Sequence, residues 1–381
     1  MYGNEPIRVL QSVPAMNHGG LEHFIMNVYR AIDRDKIQFD FLFRVNKGCV
    51  FDEEIYDLGG RIFRFESPDK HPLKSKKYYE SFFVAHPEYK IIHSHVSDLG
   101  GFQNLLRVAR SKGVPTSIIH AHSTRAPKKG SKVQSFINEK LMQRNKRNIE
   151  KIGTDFFACS NEAALWMFPE SILSGDKFRV IANGIDVDHF SYNKDARLQV
   201  RESLNIPKDA LVIGHVGRFA QVKNHKFLVD VFNFLTHLNP NSFLLLVGGG
   251  ELKQQIQERT ENAGISEKVR FLGEKEDTAP YYSAMDVLCM PSLYEGMPIV
   301  GIEAQANNLP ILFSSNVPIE ARIGNRVHFL DLEMGVESWT ERIMAIAHRV
   351  DDNSNKEKLD KAGFNSAFAS AELEKFYLEH C

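Results

Sequence analysis

The sequence predicts an α/β fold built from two doubly wound parallel sheets, and three observations support this prediction. Short apolar runs alternate with longer amphipathic stretches along all 381 residues. Most runs are apolar throughout, which is typical of parallel strands buried on both faces. At about 100–200 residues per domain, the length indicates two domains. The predicted strands are Ile7–Leu10, Gln38–Phe43, Arg61–Phe65, Ile91–His93, Thr116–Ile119, Asp155–Cys159, Arg179–Ala182, Leu211–Val216, Ser242–Val247, Val269–Leu272, Val287–Met290 and Ile311–Phe313.

The boundary between the two domains is predicted near Asn183-Gly184-Ile185-Asp186. A predicted strand ends there, Asn-Gly is a turn signal, and a polar stretch follows before the next strand. We therefore predict one domain over residues 1–184 and a second over residues 185–361. The last segment, about 362–381, is predicted to be helical.

Composition excludes several classes of protein. Lys and Arg number 47 against 48 Asp and Glu, so no global charge favours nucleic-acid binding. The four cysteines are far apart and form no C-x-x-C pair, which argues against a zinc ribbon, a redox motif or a disulfide framework. The N-terminus shows no signal-peptide pattern, and no apolar run is long enough to span a membrane. We expect a cytoplasmic protein.

Two loops are candidates for phosphate binding. Gly19 and Gly20 follow the first strand and open a helix, so backbone N–H groups there could approach an anion. The G-x-G-x-x-G fingerprint is not met, which disfavours an NAD-dependent dehydrogenase, and a plain tight turn explains this pair of glycines equally well. In the second half, Gly217-Arg218 and Lys223 follow a strand and precede a helix expected from about Lys226. Arg and Lys together suit a diphosphate, although two solvated surface cations would show the same spacing.

Two glutamates flank a turn and a helix start after the Val287–Met290 strand. Glu295 precedes Gly296 and Pro298, and Pro298 suits the first turn of a helix. Backbone N–H groups from Gly296 to Ile299, apart from Pro298, would offer an anion cradle. Glu303 lies in an otherwise apolar helical stretch, so we expect it to face a pocket, where a carboxylate can accept hydrogen bonds from vicinal ribose hydroxyls.

These motifs together resemble the signatures of retaining glycosyltransferases of family 4. The resemblance covers nearly the whole chain and implies the GT-B architecture, two Rossmann-like domains facing across a cleft, with the C-terminal helix packing back on the first domain. The segment Ile119-His120-Ala121-His122-Ser123-Thr124 is similar to bacterial exopolysaccharide and capsular polysaccharide enzymes. The other motifs concerned are Glu295-x7-Glu303, Gly217-Arg218 with Lys223-Asn224, Asn183-Gly184-Ile185-Asp186, Gly19-Gly20-x-Glu22 and Val269–Gly273.

The resemblance also implies roles for individual residues. Residues 1–184 would bind the acceptor and residues 185–361 the nucleotide-sugar. Arg218 and Lys223 would hold the donor diphosphate, Glu303 the ribose and Glu295 the sugar hydroxyls. Gly19 and Gly20 would close over the diphosphate or the acceptor, and Phe271 and Leu272 would border the base. The remaining donor-binding candidates are Gly217, Gly296, Met297, Pro298, Ile299 and Val300. Met297 stands where the family often has Phe.

Two histidine pairs, His93-Ser94-His95 and His120-Ala121-His122, are predicted to follow strands, at the edge where parallel sheets bind ligands. The resemblance implies that one histidine of the second pair contacts the donor sugar, with His122 as first choice and His120 as second. His95 is a further candidate for contact with the sugar or the acceptor. H-x-H pairs can bind metals, but nothing in the sequence completes a ligand set, so no metal site is predicted.

A basic stretch, residues 128–151, carries eight cations against two glutamates beside a narrow apolar face. Such a helix can lie on anionic lipid at the inner face of the cell membrane, although an ordinary solvated helix explains it equally well.

The predicted reaction moves a sugar from a nucleotide donor, expected to be a UDP-sugar, to a hydroxyl of a glycan or lipid-linked saccharide, with retention. His122, Arg218, Lys223 and Glu295 are the predicted catalytic residues. No metal or other cofactor is expected, because cations and helix dipoles would neutralise the leaving group. The alternatives are a nucleotide-sugar epimerase of GT-B shape and a non-catalytic nucleotide- or carbohydrate-binding protein, which the intact charged motifs disfavour.

Overall fold

The computed structural model describes residues 5–17, 19–65, 72–97, 101–123, 143–349 and 355–381. The chain divides into two compact units, one of residues 1–184 and 366–381 and the other of residues 185–365. The division falls between Gly184 and Ile185, at the Asn-Gly turn where the sequence places the domain boundary.

The first unit contains a seven-stranded parallel sheet in the order β3-β2-β1-β4-β5-β6-β7. One buried cluster of apolar side chains covers each face of the sheet. Neighbouring residues of a strand point to opposite faces, so Val9 packs in one cluster and Leu10 in the other. The strands are β1 (Ile7–Val13), β2 (Ile37–Phe43), β3 (Ile62–Arg64), β4 (Ile91–Val96), β5 (Thr116–Ala121), β6 (Asp155–Ala158) and β7 (Phe178–Val180). The helices are α1 (Gly20–Ala31), α2 (Asp52–Asp57), α3 (Pro72–Ala85), α4 (Gln103–Ser111), α5 (Asn161–Met167) and α6 (Glu170–Leu173).

The second unit contains a six-stranded parallel sheet in the order β10-β9-β8-β11-β12-β13. Two buried clusters again cover its faces, with Val212 in one and Ile213 in the other. The strands are β8 (Leu211–Val216), β9 (Ser242–Val247), β10 (Val269–Gly273), β11 (Val287–Met290), β12 (Ile311–Ser314) and β13 (Val327–Leu330). The helices are α7 (Lys194–Ser203), α8 (His225–Leu238), α9 (Lys253–Asn262), α10 (Ala279–Ala284), α11 (Ile299–Ala306), α12 (Gly335–Ile346) and α13 (Lys356–Lys361).

The C-terminal helix, α14 (Ser366–Glu379), belongs to the first unit. Its residues Leu373, Phe376 and Tyr377 join the buried cluster that contains α1. The helix begins four residues later than the predicted start near 362, because Gly363 adopts a positive φ of 78° and ends the preceding helix α13.

Each sheet reverses its strand order at one place, next to β1 and β4 in the first unit and next to β8 and β11 in the second. Ligands of open α/β sheets bind outside the carboxyl ends of the strands at such a switch point. The loops after β1, β4, β8 and β11 are therefore the places to look for a site in each unit.

The observed strands differ from the predictions at several of their ends and include one strand that was not predicted. The strand β13 was not predicted, because it is a four-residue edge strand containing a polar histidine. The strand β7 ends at Val180 rather than Ala182, since its neighbour β6 already ends at Ala158. The strands β4 and β5 continue beyond their predicted ends through His95 and His120, which pair with one another in the parallel register.

Candidate active site

The loop after β8 carries the two predicted diphosphate-binding cations, and a second glycine-rich loop after β9 supports it. The Phe219 N–H donates to the carbonyl oxygen of Gly249 at 2.7 Å. A Cβ on Gly248 would lie 2.1 Å from the carbonyl oxygen of Gly217, so only glycine permits this approach. The backbone around Arg218 is thereby held in place by β9. The run Gly248-Gly249-Gly250 after a predicted strand is the sequence signal that could have identified this support.

Arg218 and Lys223 both stand at the carboxyl end of β8. Arg218 is exposed to solvent, whereas Lys223 is half-buried at the end of the 3₁₀ turn Gln221–Lys223. Asn224 then takes a left-handed conformation, with φ of 54°, and α8 begins at His225. The planar guanidinium of an exposed Arg and the ammonium of a nearby Lys can bind two phosphate groups of one ligand.

Glu295 is paired directly with Lys223. The Lys223 ammonium donates to Glu295 Oε1 at 2.7 Å, and the hydroxyl of buried Ser292 donates to the same oxygen, also at 2.7 Å. The Leu293 N–H donates to the Val222 carbonyl at 2.8 Å, which joins the loop after β11 to the loop after β8. The structure therefore brings together the predicted diphosphate cation and the predicted sugar-binding carboxylate. The sequence did not single out Ser292, although it lies three residues before Glu295.

The helix α11 begins at Ile299, and Pro298 is its N-cap residue rather than a first-turn residue. The Gly301 N–H already bonds to the Pro298 carbonyl at 2.9 Å. The N–H groups of Ile299 and Val300 precede the helical hydrogen-bond ladder and remain available for an anion. The other two predicted donor contacts here, Gly296 and Met297, lie half-buried in the loop before the helix.

Glu303 lies on α11 and is half-buried. The hydroxyl of fully buried Tyr282 on α10 donates to Glu303 Oε2 at 2.6 Å. Burial raises the pKa of Glu303 to about 7, while the hydrogen bond from Tyr282 lowers it. Oε1 of Glu303 remains for a ligand. Tyr282 was not predicted, because nothing in the spacing of two residues on separate helices shows that they meet.

Phe271 and Leu272 lie on β10 and point to opposite faces of the sheet. Phe271 packs with the cluster containing Phe219, at 6.0 Å between ring centroids, and Leu272 packs with the cluster on the other face. Because neighbouring residues of a strand alternate, the two side chains cannot border the same face of a base.

Two further histidines lie beneath the Arg218 loop and were not predicted. His215 Nδ1 donates to the Cys289 carbonyl at 2.8 Å, and its Nε2 is 3.3 Å from where a Cβ on Gly217 would lie. His225 stacks on Phe219 at 4.3 Å. Burial, with the nearby Lys223, lowers the pKa of His215 to about 4 and that of His225 to about 2, so both stay neutral.

In the first unit, Gly19 and Gly20 form the start of α1, with Gly19 as the N-cap residue. Glu22 folds back over this end of the helix, so a Cβ on Gly19 would lie 2.3 Å from its carboxylate. Burial raises the pKa of Glu22. The position at which the sequence predicts an external anion therefore holds a carboxylate of the chain itself.

The histidine pairs lie on two neighbouring strands, and the prediction that both pairs follow their strands is wrong. His93 and His95 lie within β4, and His120 lies within β5. Only His122 follows its strand. His93 Nε2 is 3.0 Å from His120 Nδ1, and His95 Nδ1 is 3.0 Å from His122 Nε2. Each ring thereby gains at least one hydrogen-bond partner, although His120 Nε2 and His122 Nδ1 have none.

Burial keeps all four histidines neutral. It lowers the pKa of His93, His95 and His120 well below the usual value, and it lowers that of His122 to about 3. His122 as a residue is partly exposed, although its Nδ1 is enclosed.

Ring nitrogens of His93, His95 and His120 lie within 4.8 Å of one another, which is the geometry of a possible metal site in the described part of the chain. Neutral imidazoles are good ligands for transition metals. Their facing nitrogens are nevertheless engaged in hydrogen bonds, and the group includes no carboxylate to balance the charge of a buried cation. The donor set fits a hydrogen-bonded network better than a metal centre.

Most of the basic stretch, residues 128–142, lies outside the described residues. In its described part Arg144 and Arg147 are exposed, whereas the Lys146 ammonium donates to the Leu165 carbonyl at 2.8 Å. Lys146 therefore stabilises the fold of the unit. Across the described ranges, no helix has the length and apolarity needed to cross a bilayer.

Comparison with known proteins agrees with this geometry. Glycosyltransferase EpsF of Bacillus subtilis (strain 168) is 34% identical to this chain over 368 residues, covering 94% of the chain and 93% of the relative. The capsular polysaccharide biosynthesis glycosyltransferase CapH of Staphylococcus aureus is 24% identical over 387 residues, covering 98% and 99%. The family model described as "Glycosyl transferases group 1" matches residues 196–362.

A solved structure of Anabaena HepE in complex with UDP and glucose has a TM-score of 0.74 to this chain, with 15% identity, and covers 98% of this chain and 100% of that one. The two parallel-sheet units are those of the GT-B glycosyltransferase fold, as the sequence predicted. The chain belongs to the glycosyl transferases group 1 family.

Proposed function

We propose that this glycosyltransferase is a retaining enzyme of family 4 that moves a sugar from a UDP-sugar to a hydroxyl of a glycan or lipid-linked saccharide during polysaccharide biosynthesis. The observation that carries the proposal is the meeting of Lys223 and Glu295 at the carboxyl ends of β8 and β11. Arg218 lies on the same loop as Lys223, and Glu303 follows on α11.

The chemistry of the second unit suits a nucleotide-sugar. Arg218 and Lys223 supply positive charge for the diphosphate, together with the N–H groups of Ile299 and Val300. Glu303 offers an oxygen for the ribose hydroxyls, and Glu295 one for the sugar. UDP is the proposed nucleotide because the solved structure with this fold is a complex with UDP and glucose. Polysaccharide synthesis is proposed because the name of CapH states that role.

The reaction would proceed on one face of the sugar. The bond from the anomeric carbon to the β-phosphate oxygen breaks, the acceptor oxygen bonds to that carbon from the same side, and the acceptor proton passes to the departing phosphate. Arg218 and Lys223 would stabilise the charge that develops on the diphosphate, so we propose that no metal ion is needed.

The first unit would bind the acceptor and complete the donor site. We propose that His122 contacts the donor sugar and that Gly19 and Gly20 approach the diphosphate or acceptor. The enzyme would work in the cytoplasm at the inner face of the membrane, held there weakly by the basic stretch 128–151.

The proposal is tested with a thermal-shift panel of UDP-, GDP- and ADP-sugars. A ligand that binds only the folded state raises the melting temperature by mass action. We expect stabilisation by at least one UDP-sugar. Failure of every UDP-sugar, with stabilisation by a GDP- or ADP-sugar, would overturn the choice of nucleotide.

A further inference from the structure

His215 in the second unit carries a buried acceptor nitrogen that no contact within the protein uses. Its Nδ1 lies 2.8 Å from the backbone carbonyl oxygen of Cys289, and a carbonyl only accepts, so Nδ1 carries a proton and donates. The ring is neutral, because burial lowers the pKa of His215 to about 4, so Nε2 is a bare lone pair. Within the described part of the chain, no group donates to Nε2. A buried polar atom without a partner calls for an explanation.

The bond to Cys289 fixes the place of the His215 ring. The parallel pairing of β8 with β11 reaches Gly214 and Leu288, and the His215 side chain takes the carbonyl of the next residue along β11. His215 is fully buried at this point, close to the ends of both strands. The loops that follow these strands carry Lys223 and Glu295. The ring therefore lies in a fixed position at the base of both loops.

Nε2 of His215 faces the side chain of Lys223 across Gly217. A Cβ on Gly217 would lie 3.3 Å from Nε2 and 3.5 Å from Lys223 Cε. Because glycine has no side chain, nothing of this residue fills the space between the two groups. The flexible Lys223 side chain can therefore turn its ammonium toward Nε2. His225 is another polar neighbour, at 4.5 Å between ring centroids, but its nitrogens make no hydrogen bond to any described residue.

The Lys223 ammonium has donors to share. It donates to Glu295 Oε1 at 2.7 Å, and only 18% of the Lys223 side chain and 12% of the Glu295 side chain are exposed. An ammonium has three N–H donors. A diphosphate that draws the ammonium away from Glu295 leaves it in a partly buried place where a further acceptor is needed. A neutral imidazole nitrogen suits this role, because it adds no negative charge that would repel the phosphates.

We propose that His215 is a positioning residue for diphosphate binding, whose Nε2 accepts a hydrogen bond from the Lys223 ammonium when that ammonium leaves Glu295 for the donor diphosphate. Lys223 then exchanges a charged acceptor for a neutral one and keeps its other N–H groups for the phosphates. The role acts only through Lys223. It rests on the proposed function, because it requires that Lys223 binds the diphosphate.

The first test is a double-mutant cycle on UDP affinity, measured by calorimetry, with His215→Asn and Lys223→Met. The asparagine amide can donate to the Cys289 carbonyl from the Nδ1 position but has no atom at Nε2. We expect His215→Asn to melt near the parent temperature and to bind UDP about tenfold more weakly, the effect of one hydrogen bond to a charged group. In the Lys223→Met background, the same substitution should change UDP affinity less than about twofold.

The cycle separates the proposed role from simple support of the loop. An equal loss of UDP affinity from His215→Asn in both backgrounds would show that His215 does not act through Lys223, and it would overturn the proposal. Unchanged UDP binding by His215→Asn in the parent background would also overturn it. The matched control is His328→Asn, a change at a histidine on the edge strand β13 of the same unit, which should bind UDP like the parent.

The second test needs no variant of His215. A crystal structure of the parent protein with UDP should place Lys223 Nζ within about 3.2 Å of His215 Nε2, with the contact between Lys223 and Glu295 broken. A complex in which Lys223 contacts the diphosphate while its ammonium stays out of hydrogen-bond range of Nε2 would overturn the proposal.

The same measurements distinguish this inference from the proposed function. If Lys223→Met binds UDP as tightly as the parent, the diphosphate contact of Lys223 is wrong, and the role of His215 is wrong with it. If Lys223→Met weakens UDP binding while His215→Asn does not, the diphosphate contact stands and only the role of His215 is wrong.

Discussion

Lys223 and Glu295 neutralise each other in the second unit, with the ammonium 2.7 Å from Oε1 and the Ser292 hydroxyl on the same oxygen. The proposed function assigns these residues to different parts of the donor, the diphosphate and the sugar. A bound donor must therefore exchange one ion pair for two separate contacts. Lys223 and Glu295 are therefore coupled, and a substitution of one should change the strength of the contact between the other and the ligand.

This coupling predicts the effect of Glu295→Gln on two ligands. The amide keeps the Ser292 hydrogen bond but releases Lys223, so UDP should bind about fivefold more tightly, reflecting an ion pair of about 1 kcal/mol. Sugar transfer should fall, because the sugar hydroxyls lose a charged acceptor. Calorimetric titration with UDP and a transfer assay measure the two effects. The control is Glu276→Gln, an exposed glutamate of the same unit. Weaker binding of UDP to Glu295→Gln would contradict the coupling.

The raised pKa of Glu303 predicts a pH dependence of nucleotide binding. Burial raises its pKa to about 7, and the proposed ribose contact requires the carboxylate. Above pH 7 the group is ionised and affinity should be constant. Below pH 7 a bound proton must be released first, so the affinity for UDP should fall about tenfold per pH unit. UDP also titrates, so the measurement is the difference in dissociation constant between the parent and Glu303→Gln, which lacks this ionisation.

Tyr282→Phe refines the same measurement. The Tyr282 hydroxyl lowers the pKa of Glu303, so removing it should move the midpoint of the pH profile above that of the parent. Tyr281→Phe, a change at the neighbouring tyrosine of α10, is the control and should leave the midpoint in place. A midpoint that moves to lower pH in Tyr282→Phe would show that the hydrogen bond does not act on the carboxylate as described.

The basic stretch predicts weak, salt-sensitive binding to anionic vesicles. Arg144 and Arg147 are exposed, whereas Lys146 is tied to backbone carbonyls, so Arg144→Gln/Arg147→Gln removes charge without disturbing that contact. Binding to vesicles containing phosphatidylglycerol should fall in this variant, and parent binding should disappear in about 0.5 M salt. The control is Lys74→Gln/Lys77→Gln, two exposed cations on α3. Equal binding by both variants would count against a membrane contact here.

The contacts of Asp40 predict that replacing this residue destabilises the first unit. Its carboxylate is fully buried and accepts hydrogen bonds from Arg8, Arg61 and Tyr89. Asp40→Asn would leave Arg8 without its counter-charge and Arg61 with only the 3.4 Å contact to Glu88, so the free energy of unfolding should fall by about 3 kcal/mol. Urea denaturation checks this, with Asp35→Asn as the control at an exposed site. An unchanged midpoint in Asp40→Asn would show that the buried ion pairs add nothing.

Among the predicted strands of the second unit, those whose last residue is apolar were predicted best. Leu211–Val216, Ser242–Val247 and Val287–Met290 are observed with the predicted bounds. The strands containing His95 and His120 were predicted to end too early, because a polar residue normally marks the end of a buried strand. Here the histidines bond to each other across β4 and β5, which no local pattern reveals.

For the candidate site, the sequence identified the residues that stand at strand ends but not those that support them. Because parallel strands end at one edge of the sheet, Lys223 and Glu295 could be expected to come close. Tyr282 and Tyr377 act from helices distant in sequence, so their contacts with Glu303 and His93 depend on tertiary packing.

The most direct test of the account is UDP binding by Arg218→Ala/Lys223→Ala, measured by calorimetry. Two charge-assisted contacts of about 1.5–3 kcal/mol each should be lost, so affinity should fall by about a hundredfold or more. Lys226→Ala, an exposed cation on α8, should bind UDP like the parent. A double variant that binds UDP as tightly as the parent would contradict the claim that Arg218 and Lys223, at the carboxyl end of β8, bind the diphosphate.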